Sequence, residues 1–437
     1  MSNVAAGEAN GASTQAPISS KVAATNLYRV VWRWHFIAGI LLGPLICIVA
    51  VTGALYIFKY ELEPLWHADV VLVTPQEELK SLDVVVSAAK QEVPSDWQID
   101  QVEIPADPGR SIAIVMHGLA GQRRVFVDQY SGQVLGEISP TSFFPLVLKL
   151  HRNLFVGTAG RVLVELATCW SLVLLFTGLY LWWPRKSKAN RGVWLPRLRG
   201  PTYRVVRDLH AVLGFWALPV AAVIAFTGLV YAYAWGYGFL AASFLTGAYD
   251  TMLKPPKIEQ RVSDQPSWEL VYAAARTHAP GMAYTMLPAE DVDKPYTVMA
   301  GNLTGPSMTR LLLVDSTSGE VLLDGDFADF PFMAKWSSWN YPLHTGSVLG
   351  LPTKIIWLLV SIIFAMMPVT GFWMWLSRRP QGKSGWPKVI PGKLPLWLKL
   401  TTVAVCCFLP LTGISLLLVY LLDVLIGSGR QQAIVSA

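Results

Sequence analysis

This 437-residue sequence has little charge. Asp, Glu, Lys and Arg make up 15% of it, against about 25% in an ordinary soluble domain. A hydrophobic share of 53% and a mean hydropathy of +0.41 accompany the deficit, which argues against a simple soluble globule. Cysteine is scarce too. Cys47, Cys169, Cys406 and Cys407 all fall inside apolar runs and make no C-x-x-C pair, so there is no disulfide framework and the thiols read as small buried hydrophobes. No G-x-G-x-x-G opens a helix after a strand, and there is no P-loop and no H-E-x-x-H. The chain therefore carries no recognisable nucleotide or zinc-protease motif. Acid is missing altogether from two stretches: 184–207 holds eight Lys/Arg and 377–399 holds six, with no Asp or Glu in either.

What replaces charge is long apolar sequence. Residues 36–58, 166–183, 209–249, 355–376 and 400–422 are free of Asp, Glu, Lys and Arg, and about 20 apolar residues cross a bilayer core. The expected fold is a polytopic α-helical membrane protein with five spans, at 28–58, 159–183, 208–235, 353–376 and 397–423. The third run is too long for one span, and its aromatic tail (Tyr231, Tyr233, Trp235, Tyr237) suggests an interfacial segment. The acid-free basic loops, 184–207 and 377–396, belong in the cytoplasm by the positive-inside rule. Segments 59–150 and 236–352 carry 13 acids against 7 bases and 12 against 7, and belong outside. The N-terminus is then cytoplasmic, with 1–27 a disordered tail rather than a cleaved signal peptide, and 424–437 is an external tail. The net charge of +6 and pI near 9.0 reflect this topology, not nucleic-acid binding.

The two outer segments, 59–158 and 236–352, repeat one α+β plan. Leu82, Val85, Val86 and Ala89 fall at helical spacing, and strand-like alternation follows at 112–116 and 124–128. Trp268–His278 reads as the second helix, with strands at 296–300 and 310–314. A hairpin signal closes each unit, Asp128–Leu135 and Asp315–Leu322, each with a Ser-Gly turn followed by Val-Leu. The chain is thus expected to be an internal repeat of helix, external domain, histidine, helix and basic loop, with an unpaired fifth helix.

Histidines mark the helix boundaries. His35 and His210 each open H-x3-G, with Thr52-Gly53 and Thr227-Gly228 following 17 residues after each histidine. His151 and His344 precede Thr177-Gly178 and Thr370-Gly371 by 26 residues each. Membrane-edge ionisable groups are costly and usually functional, and a neutral imidazole is an axial ligand for haem iron. Given the helix directions, His35 pairs with His210 near the inside and His151 with His344 near the outside. The expectation is two b-type haems, since no C-x-x-C-H attachment motif exists. Arg33, Arg207 and Arg152, each within a turn of a histidine, are candidate partners for haem propionates. Near the spans only Glu165 and Asp208 are acidic, which disfavours a carboxylate-rich non-haem metal site. His67 reads as interface packing, His117 and His278 as surface residues. The Thr-Gly pairs read as sites of close helix approach or as room for a flat macrocycle.

The motifs around these histidines resemble the PepSY-associated transmembrane family: Trp34-His35-Phe36-Ile37-Ala38-Gly39, Leu150-His151-Arg152-Asn153, Asp208-Leu209-His210 through Gly214-Phe215-Trp216, and Pro342-Leu343-His344-Thr345-Gly346. The resemblance covers roughly 28–425. It implies that the two external domains are PepSY-like modules in the periplasm of a bacterium, below which lies the inner membrane. It also implies an iron-uptake reductase that delivers electrons to a ferric siderophore or another ferric chelate. The electrons would come from a quinol or a separate cytoplasmic reductase. Two rivals come from other classes: a non-enzymatic membrane protein whose modules bind a protease or peptide, and a transporter component for iron or siderophore.

Overall fold

The computed structural model describes residue 18 onward, except 120, 185–190, 249, 251–254, 259–264, 292, 303, 384, 388–393, 420 and 422–437. Arg185, Lys186 and Lys188 of the first basic loop, Lys388 and Lys393 of the second, most of the expected N-terminal tail and all of the outer C-terminal tail lie outside the described residues. In chain order the helices are α1 (Ile18–Tyr56), α2 (Lys59–Leu62), α3 (Pro64–Val71), α4 (Leu82–Gln91), α5 (Phe143–Asn153), α6 (Gly157–Trp182), α7 (Thr202–Leu229), α8 (Ala234–Leu245), α9 (Trp268–His278), α10 (Phe332–Thr345), α11 (Leu351–Arg378), α12 (Leu396–Phe408) and α13 (Pro410–Val419). Strands β1 (Gln98–Ile104), β2 (Ile112–Gly118), β3 (Gly121–Val127) and β4 (Val134–Glu137) follow α4. Strands β5 (Ala283–Leu287), β6 (Tyr296–Gly301), β7 (Arg310–Val314) and β8 (Val321–Asp326) follow α9.

Four helices among the described residues are long and apolar enough to span a membrane: α1 from Leu27 onward, α6, α7 and α11. They form a square bundle in which α1 and α7 each pack against both α6 and α11. Leu41, Phe176, Leu359 and Val369 point outward and exposed, as lipid-facing side chains of a span do, because hydrocarbon outside is as apolar as the core within.

The expected fifth span is broken near its middle. Its two halves, α12 and α13, meet at a bend of 119°. Pro410 has no N–H to continue the helical ladder and disfavours helical backbone at the residue before it. Leu409 accordingly sits at φ −115°, ψ 80°. The third span also stops at Leu229, earlier than expected, and the aromatic tail becomes the separate helix α8. Glu165, fully buried in α6, takes hydrogen bonds from the N–H groups of Ala234 (2.7 Å) and Trp235 (3.0 Å), satisfying the α8 N-terminus.

The two outer segments were expected as separate domains and instead share one antiparallel sheet. The strand order is β4-β3-β2-β1-β5-β6-β7-β8. The halves join where β1 pairs with β5, Val102 opposite Met286 and Ile104 opposite Tyr284. Helices α4 and α9 lie over the sheet, and their Val85, Val86, Ala89, Val271 and Ala275 enter one core with Ile114, Met116, Met286, Val298 and Leu312. They also cap one another. The Leu82 N–H donates to Glu269 Oε2, while the Trp268 N–H and Ser267 hydroxyl donate to Asp83, each at 2.6 Å. Each helix thus supplies the acceptor for orphan donors at the other's start. Both hairpin glycines, Gly132 and Gly319, have φ +77°, the left-handed backbone that suits glycine.

Candidate functional site

The four histidines lie in two layers of the bundle. His35 in α1 and His210 in α7 face each other, with ring centres 6.4 Å apart. His151 in α5 and His344 in α10 do the same at 6.2 Å. The pairing expected from helix direction is therefore the pairing the fold makes. The first layer lies where α6 and α11 run into the basic loops, and is called the basic side. The second follows β4 and β8 in the chain, and is called the sheet side. From His35 to Thr52, which reaches the other layer, is 17 residues of one helix, or about 25 Å at 1.5 Å per residue.

The sheet-side histidines are not on spans. Each sits near the end of a short helix that stops just after it: α5 with Leu154 at φ +51°, and α10 with Gly346 at φ +74°. A Cβ on Gly346 would fall 2.5 Å from the Trp357 ring, so only glycine lets α10 end there against α11. Trp357 itself donates its indole N–H to the Leu343 carbonyl at 2.8 Å.

Every histidine Nδ1 is engaged by the threonine of a Thr-Gly pair on another helix. The distances are 2.9 Å from His35 to Thr177, 3.1 Å from His151 to Thr52, 2.8 Å from His210 to Thr370 and 3.2 Å from His344 to Thr227. At the sheet side Nδ1 also lies 3.0 Å from a carbonyl, that of Val49 for His151 and of Ile224 for His344. A carbonyl only accepts, so Nδ1 there carries the proton and Nε2 holds the lone pair. No hydrogen bond reaches any of the four Nε2 atoms, and each is thus left without a protein partner among the described residues.

A cavity of about 290 Å³ opens beside the sheet-side pair and runs into the bundle. His151, His344, Arg152, Arg161, Tyr231 and Tyr341 line its outer part, and Ala50, Ala167, Ala221 and Ala225 its deeper part. The Tyr231 ring stands 5.6 Å from that of His344. Arg152, anticipated from sequence, is exposed at this cavity. Arg161, which was not anticipated, donates from Nη2 to the Ala232 carbonyl at 3.1 Å and keeps a buried Nε with no partner. Its signal was an arginine within an apolar helix.

At the basic side, Arg33 likewise has a buried Nε without a partner. Arg207 is committed elsewhere: it and Arg197 both donate to the buried Asp208, at 2.7 Å and 2.6 Å at their shortest. His117 in β2 and His278 at the end of α9 face Asp100 and Asp324, away from both pairs. Burial opposes ionisation of Asp324, but hydrogen bonds from Arg310 and His278 outweigh it and hold this carboxyl below the ordinary range.

A four-helix bundle with a facing histidine pair in each layer, joined to an eight-stranded sheet, defines a multi-pass membrane protein. Its sequence matches the PepSY-associated TM region over residues 32–378, and the chain belongs to that PepSY-associated transmembrane family. It is also similar to the uncharacterized protein PA4219 of Pseudomonas aeruginosa, 38% identical over 88 residues, which is 19% of this chain and 20% of that protein. The similarity thus spans only about a fifth of that relative.

Proposed function

We propose that the chain is a di-haem b-type reductase that carries electrons from the basic side to the sheet side, where a ferric siderophore or other ferric chelate is reduced. The observation that carries this reading is the pair of ring separations, 6.4 Å and 6.2 Å. Taking the zinc–imidazole bond of about 2.0–2.1 Å as a guide, and adding roughly 1.1 Å from nitrogen to ring centre on each side, one metal between two imidazoles sets their centres about 6.3 Å apart. Both pairs match. Among the described residues no group of three or more His, Cys, Asp or Glu could hold an ion. Two imidazoles alone leave the other coordination positions to a macrocycle, and the cavity beside the sheet-side pair offers it room.

When bound, a haem would supply a one-electron iron couple at each pair. His35 and His210 would hold one group, His151 and His344 the other. Arg152 and Arg161 would meet the carboxylates of the sheet-side group, and Arg33 those of the basic-side group. The apolar walls exclude water from between the imidazoles. The positive-inside rule applied to the basic loops supports a cytoplasmic position for the first pair, in a bacterial inner membrane with the sheet in the periplasm. With no nucleotide motif in the chain, a quinol or a separate cytoplasmic reductase is the donor. Reduction releases the substrate's iron because hard oxygen chelators hold Fe(III) far more tightly than Fe(II). We read the two helix-plus-four-strand units as a duplication that placed equivalent histidines at equivalent depths.

The test is reoxidation. Protein reduced with dithionite, then mixed with a ferric siderophore and a ferrous chelator, is expected to reoxidise as Fe(II) is trapped. Failure with every ferric chelate tried would remove iron reduction from this account.

A further inference from the structure

We infer that the four Thr-Gly pairs are positioning residues for the histidines: the threonine oxygen accepts the Nδ1 proton and sets the donor strength of Nε2, while the glycine lets the ring reach that oxygen. The inference rests on the di-haem reading and deepens it.

The same arrangement occurs four times. Each threonine hydroxyl donates back to the carbonyl four residues earlier in its own helix: Thr52 to Ile48, Thr177 to Val173 and Thr227 to Val223 at 2.7 Å, and Thr370 to Met366 at 2.9 Å. With its proton committed there, Oγ1 can only accept from the imidazole. A threonine satisfied by its own helix needs no second contact, yet all four make one across to another helix. The following residue completes the arrangement. A Cβ on Gly53, Gly178 or Gly228 would lie 3.2, 3.3 or 3.0 Å from the Cε1 edge of the histidine that its threonine serves, and one on Gly371 3.8 Å from that of His210. In at least three of the four positions a methyl group would crowd the ring away from the oxygen.

The consequence is electronic. An imidazole whose N–H is accepted by oxygen is a more basic ligand through its other nitrogen. A more basic ligand favours Fe(III) over Fe(II) and makes each couple more reducing, which suits delivery of an electron to a poor acceptor. In an apolar bundle, where competing water is excluded, such an acceptor keeps its effect; at the sheet side the Val49 and Ile224 carbonyls share it with the threonines.

The test uses full-length protein purified with its haems and titrated optically against ambient potential, as wild type, Thr177→Val, Thr177→Ser and Gly178→Ala. In Thr177→Val the ferrous-to-ferric ratio of one haem at fixed potential should rise roughly three- to tenfold, the scale of one net hydrogen bond. The second haem serves as the internal control and should not move. Thr177→Ser keeps the hydroxyl and should restore the wild-type ratio. Gly178→Ala should shift the same haem in the same direction as Thr177→Val. A Thr177→Val protein that titrates like wild type overturns the inference. So does a serine variant as perturbed as the valine one, because that marks a packing role. If the valine variant loses its haem outright, retention by the serine variant supports the inference and loss by both overturns it. Wild-type protein that carries no haem would instead overturn the di-haem reading beneath it.

Discussion

Replacing His35 with alanine is expected to remove one haem and leave the other, taking the content from about two per chain to about one. A haem held by two axial imidazoles and no covalent link depends on both. His210→Ala should therefore lose the same spectral component as His35→Ala, and His151→Ala and His344→Ala the other. In detergent, the His35 variant reduced by dithionite should still pass electrons to a ferric chelate, because its sheet-side pair is intact. In cells it should not, since electrons must enter from the basic side. Optical spectra and haem-to-protein ratios of the four variants check this. Loss of the same component in the His35 and His151 variants would refute the pairing, and unchanged haem in all four would refute the ligand assignment.

Gly160→Ala should have the largest effect of any change that touches no ligand. A Cβ there would lie 1.7 Å from the Asn153 carbonyl oxygen. That oxygen already accepts from the Val156 N–H at 2.9 Å, inside a tight link where Leu154 and Phe155 hold φ values of +51° and +61°. No side chain can give way, so the link itself must open, at a cost of about 3 kcal/mol, the upper range for overpacking. This link fixes α5 on α6, and α5 carries His151. The expected result is a lower melting temperature in detergent together with weakened or lost sheet-side haem, while the basic-side haem persists. Gly238→Ala, where nothing lies within 4 Å of the added carbon, should be neutral. If Gly160→Ala behaved like that control, α5 would not be held as described.

Much of this site was legible in the sequence because a bilayer imposes its thickness on helix length. The intervals of 17 and 26 residues place a histidine at one depth and a Thr-Gly pair at the other, so equal spacing implied equal depth. What spacing cannot say is which helices are neighbours. Thr52 follows His35 in α1 but serves His151, and Thr177 follows His151 but serves His35. The threonines therefore read as packing until the bundle was assembled. The sheet was half legible for a similar reason. Apolar runs such as those of β2 and β7 stood out, whereas β1, with the sequence Gln98-Ile99-Asp100-Gln101-Val102-Glu103-Ile104, has only Val102 and Ile104 buried. That strand, paired with β5, is what makes one domain of two. In the last apolar run composition outweighed Pro410, whose missing N–H decides the geometry there.

The most direct measurement of the central claim is a reduced-minus-oxidised visible spectrum of the purified wild-type protein, with haem and protein quantified on the same sample. The account predicts low-spin b-type spectra and two haems per chain, extractable by acid solvent because no covalent attachment exists. Colourless protein that takes up no haem on reconstitution would contradict it, whatever its activity proved to be.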